Sequence, residues 1–220
     1  MFRLVTIERE FGCGGASIAA QLASHLGWKL WDDLLTQEIA RLANVDRSTV
    51  KRCEERMDSR LHRLAKAFWR GSYERSSALG SQIFDTDCIM TFMGEITARI
   101  AVEGNAVVVG RGTPFFLRES PEAFHVFLYA PRGEKIRRLR EDGNTEEEAG
   151  NLVDTVDRER AAYIKHYFNA DWPTRSLYHL MVNTAVGNDA VVQTILDTMH
   201  LVEGRPKATG YEPARVPATT

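Results

Sequence analysis

Short apolar runs along the chain alternate with longer segments in which apolar residues recur every three or four positions. Continuous apolar or β-branched runs predict buried strands at residues 2–7, 29–31, 106–109, 124–129 and 180–182. The three-to-four spacing predicts helices at residues 16–26, 34–42, 46–69, 86–102, 131–142, 145–168 and 189–201. Because short strands alternate with helices, the pattern predicts an α/β fold with a central parallel sheet of about five strands and helices on both faces.

A single domain over residues 1–202 accounts for this order of elements, since 220 residues with 44% hydrophobic content can bury one sizeable core. Residues 46–102 are predicted as a helical insertion, because roughly a dozen residues suffice to connect two parallel strands. The insertion is consistent either with an element that covers a substrate or with a helix pair that forms a homodimer. Residues 131–170, here called the lid region, contain two predicted arginine-rich helices. We predict that these helices form a small hinged lid. Residues 203–220 contain three prolines without periodicity and predict a disordered tail.

Charge and cysteine content exclude several classes of partner. The formal net charge of −2 lacks the basic footprint of a nucleic-acid-binding domain. The sequence has no run of about 18 apolar residues and no signal-peptide pattern, which argues against a membrane partner. Cys13, Cys53 and Cys88 are scattered without metal-ligand spacing, as is typical of reduced thiols. We therefore expect a cytoplasmic protein without a dedicated metal site.

A glycine-rich turn separates the first predicted strand from the first predicted helix. A strand that leads through glycines into a helix N-terminus can bind an anion, because main-chain N–H groups and the helix dipole both favour negative charge there. The turn therefore predicts a phosphate site made by Gly12, Cys13, Gly14, Gly15, Ala16 and Ser17. The alternative is that the glycines only allow the helix to pack closely on the strand. Cys13 is interpreted as a small filler, with a redox role as the alternative.

The turn departs from the strict P-loop pattern G-x-x-x-x-G-K-[ST]. When Gly14 is aligned with the second glycine, Arg9 stands at the first glycine and Gly15 stands at the lysine. Ala16 occupies the Ser/Thr position, and Ser17 follows one residue later. The main-chain cradle is therefore retained, and the lysine that contacts the β- and γ-phosphates is missing.

Two charged positions follow other predicted strands. Asp32 follows the strand at 29–31, where it either caps the next helix or contacts a ligand at the carboxyl end of the sheet. Arg111 lies between Gly110 and Gly112 after the strand at 106–109. A guanidinium binds phosphate through two parallel hydrogen bonds, so we predict that Arg111 binds a phosphate group. The alternative is that Arg111 forms a structural ion pair.

Six segments in order resemble the cytidylate kinase-like family, a branch of the P-loop nucleoside monophosphate kinases: IEREFGCGGASIAAQLASHLGW, LWDDLLTQEIA, VVVGRGTPFFLRE, VFLYAPRGEKIRRL, DRERAAYIKHYFNADW and LYHLMVNT. The resemblance covers roughly residues 2–200. It implies a P-loop kinase-like three-layer sandwich with a helical insertion and a lid. It also implies Mg²⁺-dependent transfer of the ATP γ-phosphoryl group to CMP, dCMP or a related small acceptor.

The resemblance assigns roles to residues that match the family's segments. The glycine turn with Ser17 matches the phosphate loop, Asp32 matches an acidic substrate position, and Arg111 matches the arginine that binds the substrate phosphate. Four arginines fall where the family has lid arginines: Arg137, Arg138, Arg158 and Arg160. The alternative for this basic region is a set of internal ion pairs on a solvated face.

The departures from the family set the alternatives for function. The loop ends Gly-Gly-Ala-Ser instead of Gly-Lys-Ser-Thr, and Gly112 replaces the aspartate of the family's Gly-Arg-Asp segment. A well-placed cation is worth about 10³ to 10⁵ in phosphoryl-transfer rate, so Arg9 is the candidate substitute for the lysine. Without a substitute, the chain would be a catalytically weak nucleotide-binding regulator. A Rossmann dinucleotide enzyme is disfavoured because its fingerprint needs a glycine where Ser17 stands.

Overall fold

The structure, a computed structural model, describes residues 1–32, 34, 35, 38 and 86–203. Its strands are β1 (Leu4–Arg9), β2 (Lys29–Trp31), β3 (Ala106–Val109), β4 (Ala123–Tyr129) and β5 (Leu180–Asn183). Its helices are α1 (Gly15–Leu26), α2 (Thr86–Glu103), α3 (Thr113–Phe116), α4 (Arg132–Glu141), α5 (Glu146–Phe168) and α6 (Asn188–Glu203). No helix of these residues is long and apolar enough to cross a bilayer.

The five strands form one parallel sheet in the order β2-β3-β1-β4-β5. β1 is the central strand, with Leu4 in register with Ala106 of β3 and Ala123 of β4. Because parallel strands all end at the same edge of the sheet, the segments that follow β1, β2 and β3 lie side by side. This arrangement confirms the predicted α/β fold with a five-stranded parallel sheet.

Alternate residues of β1 enter two different cores, because successive side chains of a strand point to opposite faces. Val5 and Ile7 pack with Ile18 of α1 and Ile195 of α6 on one face. Leu4 packs with the buried residues of α2, α3 and α5 on the other face. The helices therefore sandwich the sheet in three layers, as predicted.

The lid region consists of α4 and α5. α5 begins at a capping box in which Thr145 Oγ1 accepts from the N–H of Glu148, while Glu148 Oε2 accepts from the N–H of Thr145. Leu139 of α4 and Val153 and Val156 of α5 bury an apolar cluster against Phe11 of the glycine turn. The two helices therefore pack directly on the turn.

Some of the predictions lie outside the described residues. These are the helix at 34–42 apart from residues 34, 35 and 38, the helix at 46–69, the polar part of the insertion up to residue 85, and the tail after Glu203. The helix predicted at 86–102 is present as α2, and it buries Met93, Ile96 and Ile100. The division into domain, insertion, lid and tail stays a prediction.

His125 on β4 is a core residue with a hydrogen-bond partner. The side chain is 2% exposed, and Nδ1 lies 2.7 Å from Thr6 Oγ1 on β1. Burial and the neighbouring His179 lower the pKa of His125 from 6.5 to about 3. The imidazole therefore stays neutral in the folded protein, and its place in the sheet agrees with a structural role.

We expect His125 to make the stability of the protein depend on pH. The unfolded chain binds a proton at His125 below pH 6.5, whereas the folded protein does so only near pH 3, so stability falls as the pH falls through this window. Between about pH 7 and about pH 5, the free energy of unfolding should decrease by roughly 2 kcal/mol through this residue. Urea denaturation of the wild type and His125→Gln measures the difference. Parallel pH dependence of the two proteins would contradict the prediction.

Candidate active site

The glycine turn connects the end of β1 to the start of α1. Gly14 is the N-cap of α1 and adopts a left-handed conformation with φ of 79°, and no side chain among the described residues caps the helix. The first main-chain N–H groups of a helix have no partner within it. The start of α1 is therefore built to receive an anion, and phosphate binding by Gly12–Ser17 stays a prediction.

The turn is fixed through its carbonyl groups. Arg138 of α4 donates from Nη1 to the carbonyl of Cys13 and to Thr184 Oγ1 at 3.0 Å, and from Nη2 to the carbonyl of Thr184 at 2.9 Å. Thr184, which follows β5, also donates to the carbonyl of Cys13 at 2.7 Å. These bonds hold the turn without using its amides. Burial raises the pKa of the Cys13 thiol to about 11, so the thiol stays neutral, which supports the filler interpretation.

Asp157 of α5 links the lid region to the start of the turn. Oδ1 accepts from the N–H of Phe11 at 2.7 Å, and Oδ2 accepts from Lys135 Nζ at 2.8 Å. Lys135 also donates to Glu10 Oε2 at 2.9 Å, and Arg160 donates to the carbonyl of Arg9 at 2.7 Å. Hydrogen bonds and ion pairs of Lys135 on α4 and of Asp157 and Arg160 on α5 therefore connect both lid helices to residues 9–11.

The four candidate lid arginines divide into two pairs. Arg138 and Arg160 reach the glycine turn, as described above. Arg137 is exposed and pairs with Glu134 at 2.6 Å and with Glu141 on its own helix, which matches the internal ion-pair alternative. Arg158 is exposed on α5. The structure therefore brings Arg138 and Arg160 to the candidate site and leaves Arg137 and Arg158 outside it.

Asp32, Arg111 and Arg9 meet at the carboxyl ends of three adjacent strands. Asp32 Oδ1 lies 3.7 Å from Arg111 Nη1 and 3.8 Å from Arg9 Nη2. Arg111 Nη1 also donates to the main-chain carbonyl of Asp32 at 3.2 Å. Both arginines are 8% exposed. The ion pair offered as the alternative for Arg111 is therefore present, and it brings together three candidate residues from β1, β2 and β3.

A left-handed turn holds Arg111 at this place. Gly110, Arg111 and Gly112 have φ values of 72°, 59° and 70°, and a non-glycine residue such as Arg111 rarely adopts this conformation. Glu8 Oε1 accepts from the N–H of Gly112 at 2.8 Å. Burial raises the pKa of Glu8, and the charge of Arg9 opposes this effect. Glu8 is therefore a buried support for the turn that carries Arg111.

Sequence reasoning missed Glu8, Lys135 and Asp157. Glu8 carries a detectable signal, because it is an acidic residue next to the last position of a central strand whose six residues are all buried. Lys135 and Asp157 stand among many other charged residues of α4 and α5, so nothing in the sequence separates them from the solvated face.

Phe168 occupies the space that a side chain at position 112 would need. A Cβ at position 112 would lie 2.6 Å from Phe168 Cε2. Phe168 is held there by stacking on Phe115, with the ring centroids 4.5 Å apart. A carboxylate at position 112 would require Phe168 to move, so this structure does not accommodate the aspartate of the Gly-Arg-Asp segment.

Comparisons with known proteins bear on the fold and the family of this chain. An uncharacterized protein from Eubacterium ventriosum is 20% identical, with a TM-score of 0.63 over 93% of this chain and 100% of that chain. Shikimate kinase from Acinetobacter baumannii, solved in complex with shikimate, is 13% identical, with a TM-score of 0.50 over 93% of this chain and 97% of that chain.

At these identities, the two likenesses show the fold, which is that of the P-loop kinases. Among curated proteins, no sequence matches this chain significantly. The model of the cytidylate kinase-like family matches residues 4–186. Since this match spans most of the chain, the protein belongs to the cytidylate kinase-like family.

Proposed function

We propose that this protein is a cytoplasmic ATP-dependent phosphotransferase that acts on CMP, dCMP or a related small acceptor. The observation that carries the proposal is the position of the glycine turn beside the Arg9–Asp32–Arg111 cluster. The turn offers main-chain N–H groups to a donor triphosphate, and the cluster offers a guanidinium to an acceptor phosphate. Family membership supports a nucleotide kinase, and the acceptor is our proposal.

Phosphoryl transfer requires positioning and charge neutralisation more than covalent chemistry by the protein. In our proposal, the turn holds the ATP phosphates and Arg111 holds the acceptor phosphate. Arg138 and Arg160 bring further positive charge to the turn from the lid helices. Closure of α4 and α5 over the bound phosphates would exclude water, which would otherwise hydrolyse ATP, and both helices already pack on Phe11 of the turn.

Mg²⁺ would neutralise charge on the ATP phosphates. It would be held mainly by ATP oxygens and waters, as this ion prefers. In the described part of the chain, no group of three or more His, Cys, Asp or Glu residues could hold a metal ion. Ser17 at the start of α1 supplies an oxygen donor of a suitable type. Asp32 Oδ1 lies 3.7 Å from Arg111 Nη1 and 3.8 Å from Arg9 Nη2, so this carboxylate is paired with cations and is not assigned to the ion.

A coupled ADP-release assay tests the proposed function. We expect turnover that depends on Mg²⁺, with CMP and dCMP as better acceptors than UMP or AMP. A shift of the preference to another acceptor would correct the substrate. If ATP is not turned over with any of these acceptors, the proposed phosphotransferase activity is wrong.

A catalytically weak nucleotide-binding regulator is the second candidate function. Gly15 at the position of the P-loop lysine favours it, because the start of α1 itself then supplies no cation. Calorimetric binding of ATP and Mg²⁺ without turnover would establish this function.

The insertion at 46–102 is proposed either to cover the acceptor or to pair with a second copy of the chain. The molecular mass in solution distinguishes these two roles.

A further inference from the structure

The side chain of Arg9 occupies the space in which a P-loop lysine would begin. A Cβ built at Gly15 would lie 3.0 Å from Cδ, 3.1 Å from Cβ and 3.2 Å from Cγ of Arg9. Carbon atoms separated by less than about 3.5 Å are closer than their optimal separation. The hydrocarbon stem of Arg9 and a side chain at position 15 therefore compete for the same volume.

The guanidinium of Arg9 extends from the glycine turn towards the acceptor side. Nη1 lies against the Cα of Gly110, where a Cβ at that position would collide with it. Nη2 lies 3.8 Å from Asp32 Oδ1, which also pairs with Arg111. The cation is therefore between the start of α1 and the arginine that we assign to the acceptor phosphate.

Arg160 affects Arg9 in two ways, through a hydrogen bond to its main chain and through its positive charge. Arg160 donates to the main-chain carbonyl of Arg9 at 2.7 Å, which fixes the backbone from which the side chain projects. Burial, and next the charge of Arg9, lower the pKa of Arg160, so two guanidiniums repel each other at this place. A polyphosphate placed beside both cations would relieve that repulsion.

We propose that Arg9 performs the task of the missing P-loop lysine, and that Arg9 and a lysine at position 15 exclude each other. This inference rests on the proposed function and assigns one residue within it. During transfer, the bond from the γ-phosphorus to the β–γ bridging oxygen breaks, and a bond from the γ-phosphorus to an oxygen of the acceptor phosphate forms. Arg9 exchanges no proton and neutralises charge on the phosphoryl oxygens.

A set of variants at positions 9 and 15 tests the exclusion. Arg9→Met keeps most of the stem without the charge, and Arg9→Ala removes both. We expect each to lower kcat by about 10³-fold, the lower end of the effect of a well-placed cation. Gly15→Lys should restore at least about tenfold of the kcat lost in Arg9→Ala, because the loss of Cγ and Cδ leaves only the contact with Cβ of residue 9, at 3.1 Å, for the new side chain to relieve. The same lysine should not restore Arg9→Met, whose stem still blocks it.

Three outcomes would overturn the inference. They are a kcat of Arg9→Met within about tenfold of wild type, equal rescue of both variants by Gly15→Lys, or no rescue of either although the proteins melt like wild type. Thermal stabilisation by ATP and Mg²⁺ gives a second readout. It should be smaller in Arg9→Met and should recover only in Arg9→Ala/Gly15→Lys.

The second readout also separates the inference from the proposed function. If wild type turns over no acceptor, the enzyme proposal fails, and the ATP-dependent shifts in Tm still decide the role of Arg9. Shifts that are identical in wild type and Arg9→Met would then overturn the assignment of Arg9.

Discussion

We expect Asp157→Ala to lower the free energy of unfolding by about 3 kcal/mol, the lower end of the cost of breaking a buried ion pair. The carboxylate is 17% exposed and Lys135 is 8% exposed, so the substitution leaves a cation with only Glu10 in a poorly solvated place. It also removes the acceptor for the N–H of Phe11 at 2.7 Å. Urea denaturation measures the change.

Asp154→Ala is the matched control for this prediction. Asp154 lies one turn earlier on α5 and also pairs with a cation, since its Oδ2 lies 2.8 Å from Arg132 Nη2. Both of these side chains are 56% exposed, so water replaces the lost partner and stability should change little. Equal losses in the two variants would contradict the role given to Asp157.

We expect Arg111→Ala to raise the KM for the proposed acceptor by about 100-fold and to leave the KM for ATP nearly unchanged. Loss of a charge-assisted contact costs about 1.5–3 kcal/mol, and tenfold corresponds to about 1.4 kcal/mol. The ATP site should be spared because the glycine turn is held by Arg138, Asp157 and Thr184, none of which depends on Arg111. Initial rates at varied acceptor and varied ATP measure both constants.

Arg118→Ala serves as the control for Arg111→Ala. Arg118 lies after helix α3, its side chain is 38% exposed, and it pairs with the neighbouring Glu119. We expect wild-type constants for this variant. An unchanged acceptor KM in Arg111→Ala, or an equal rise in the KM for ATP, would refute the assignment of Arg111.

Local sequence patterns predict the fold and those site residues that directly follow a strand. The run Ala-Val-Val-Val predicts β3 at 106–109, the bounds that the structure gives it. Asp32 and Arg111 were predictable because each stands directly after a strand, and parallel strands end at a common edge. Their meeting required only the sheet topology and no knowledge of helix packing.

The remaining part of the site depends on contacts between distant segments. Arg137 and Arg138 are adjacent in sequence, yet a helix turns by about 100° per residue, so one faces solvent and the other faces the turn. Asp157 meets Phe11 from 146 positions away in the chain. Gly112 lies against Phe168, which α5 also brings from a distant part of the sequence. Such pairings arise from the docking of α4 and α5, which a local pattern does not contain.

The central place of β1 determines when the glycine turn can take its place in the sheet during synthesis. β1 is translated before both of its neighbours, which are formed by residues that begin at Ala106 and Ala123. Contacts between such distant residues are slow to form, because the chain loses loop entropy before it gains them. The glycine turn is therefore held between both neighbouring strands only after more than a hundred further residues have been translated.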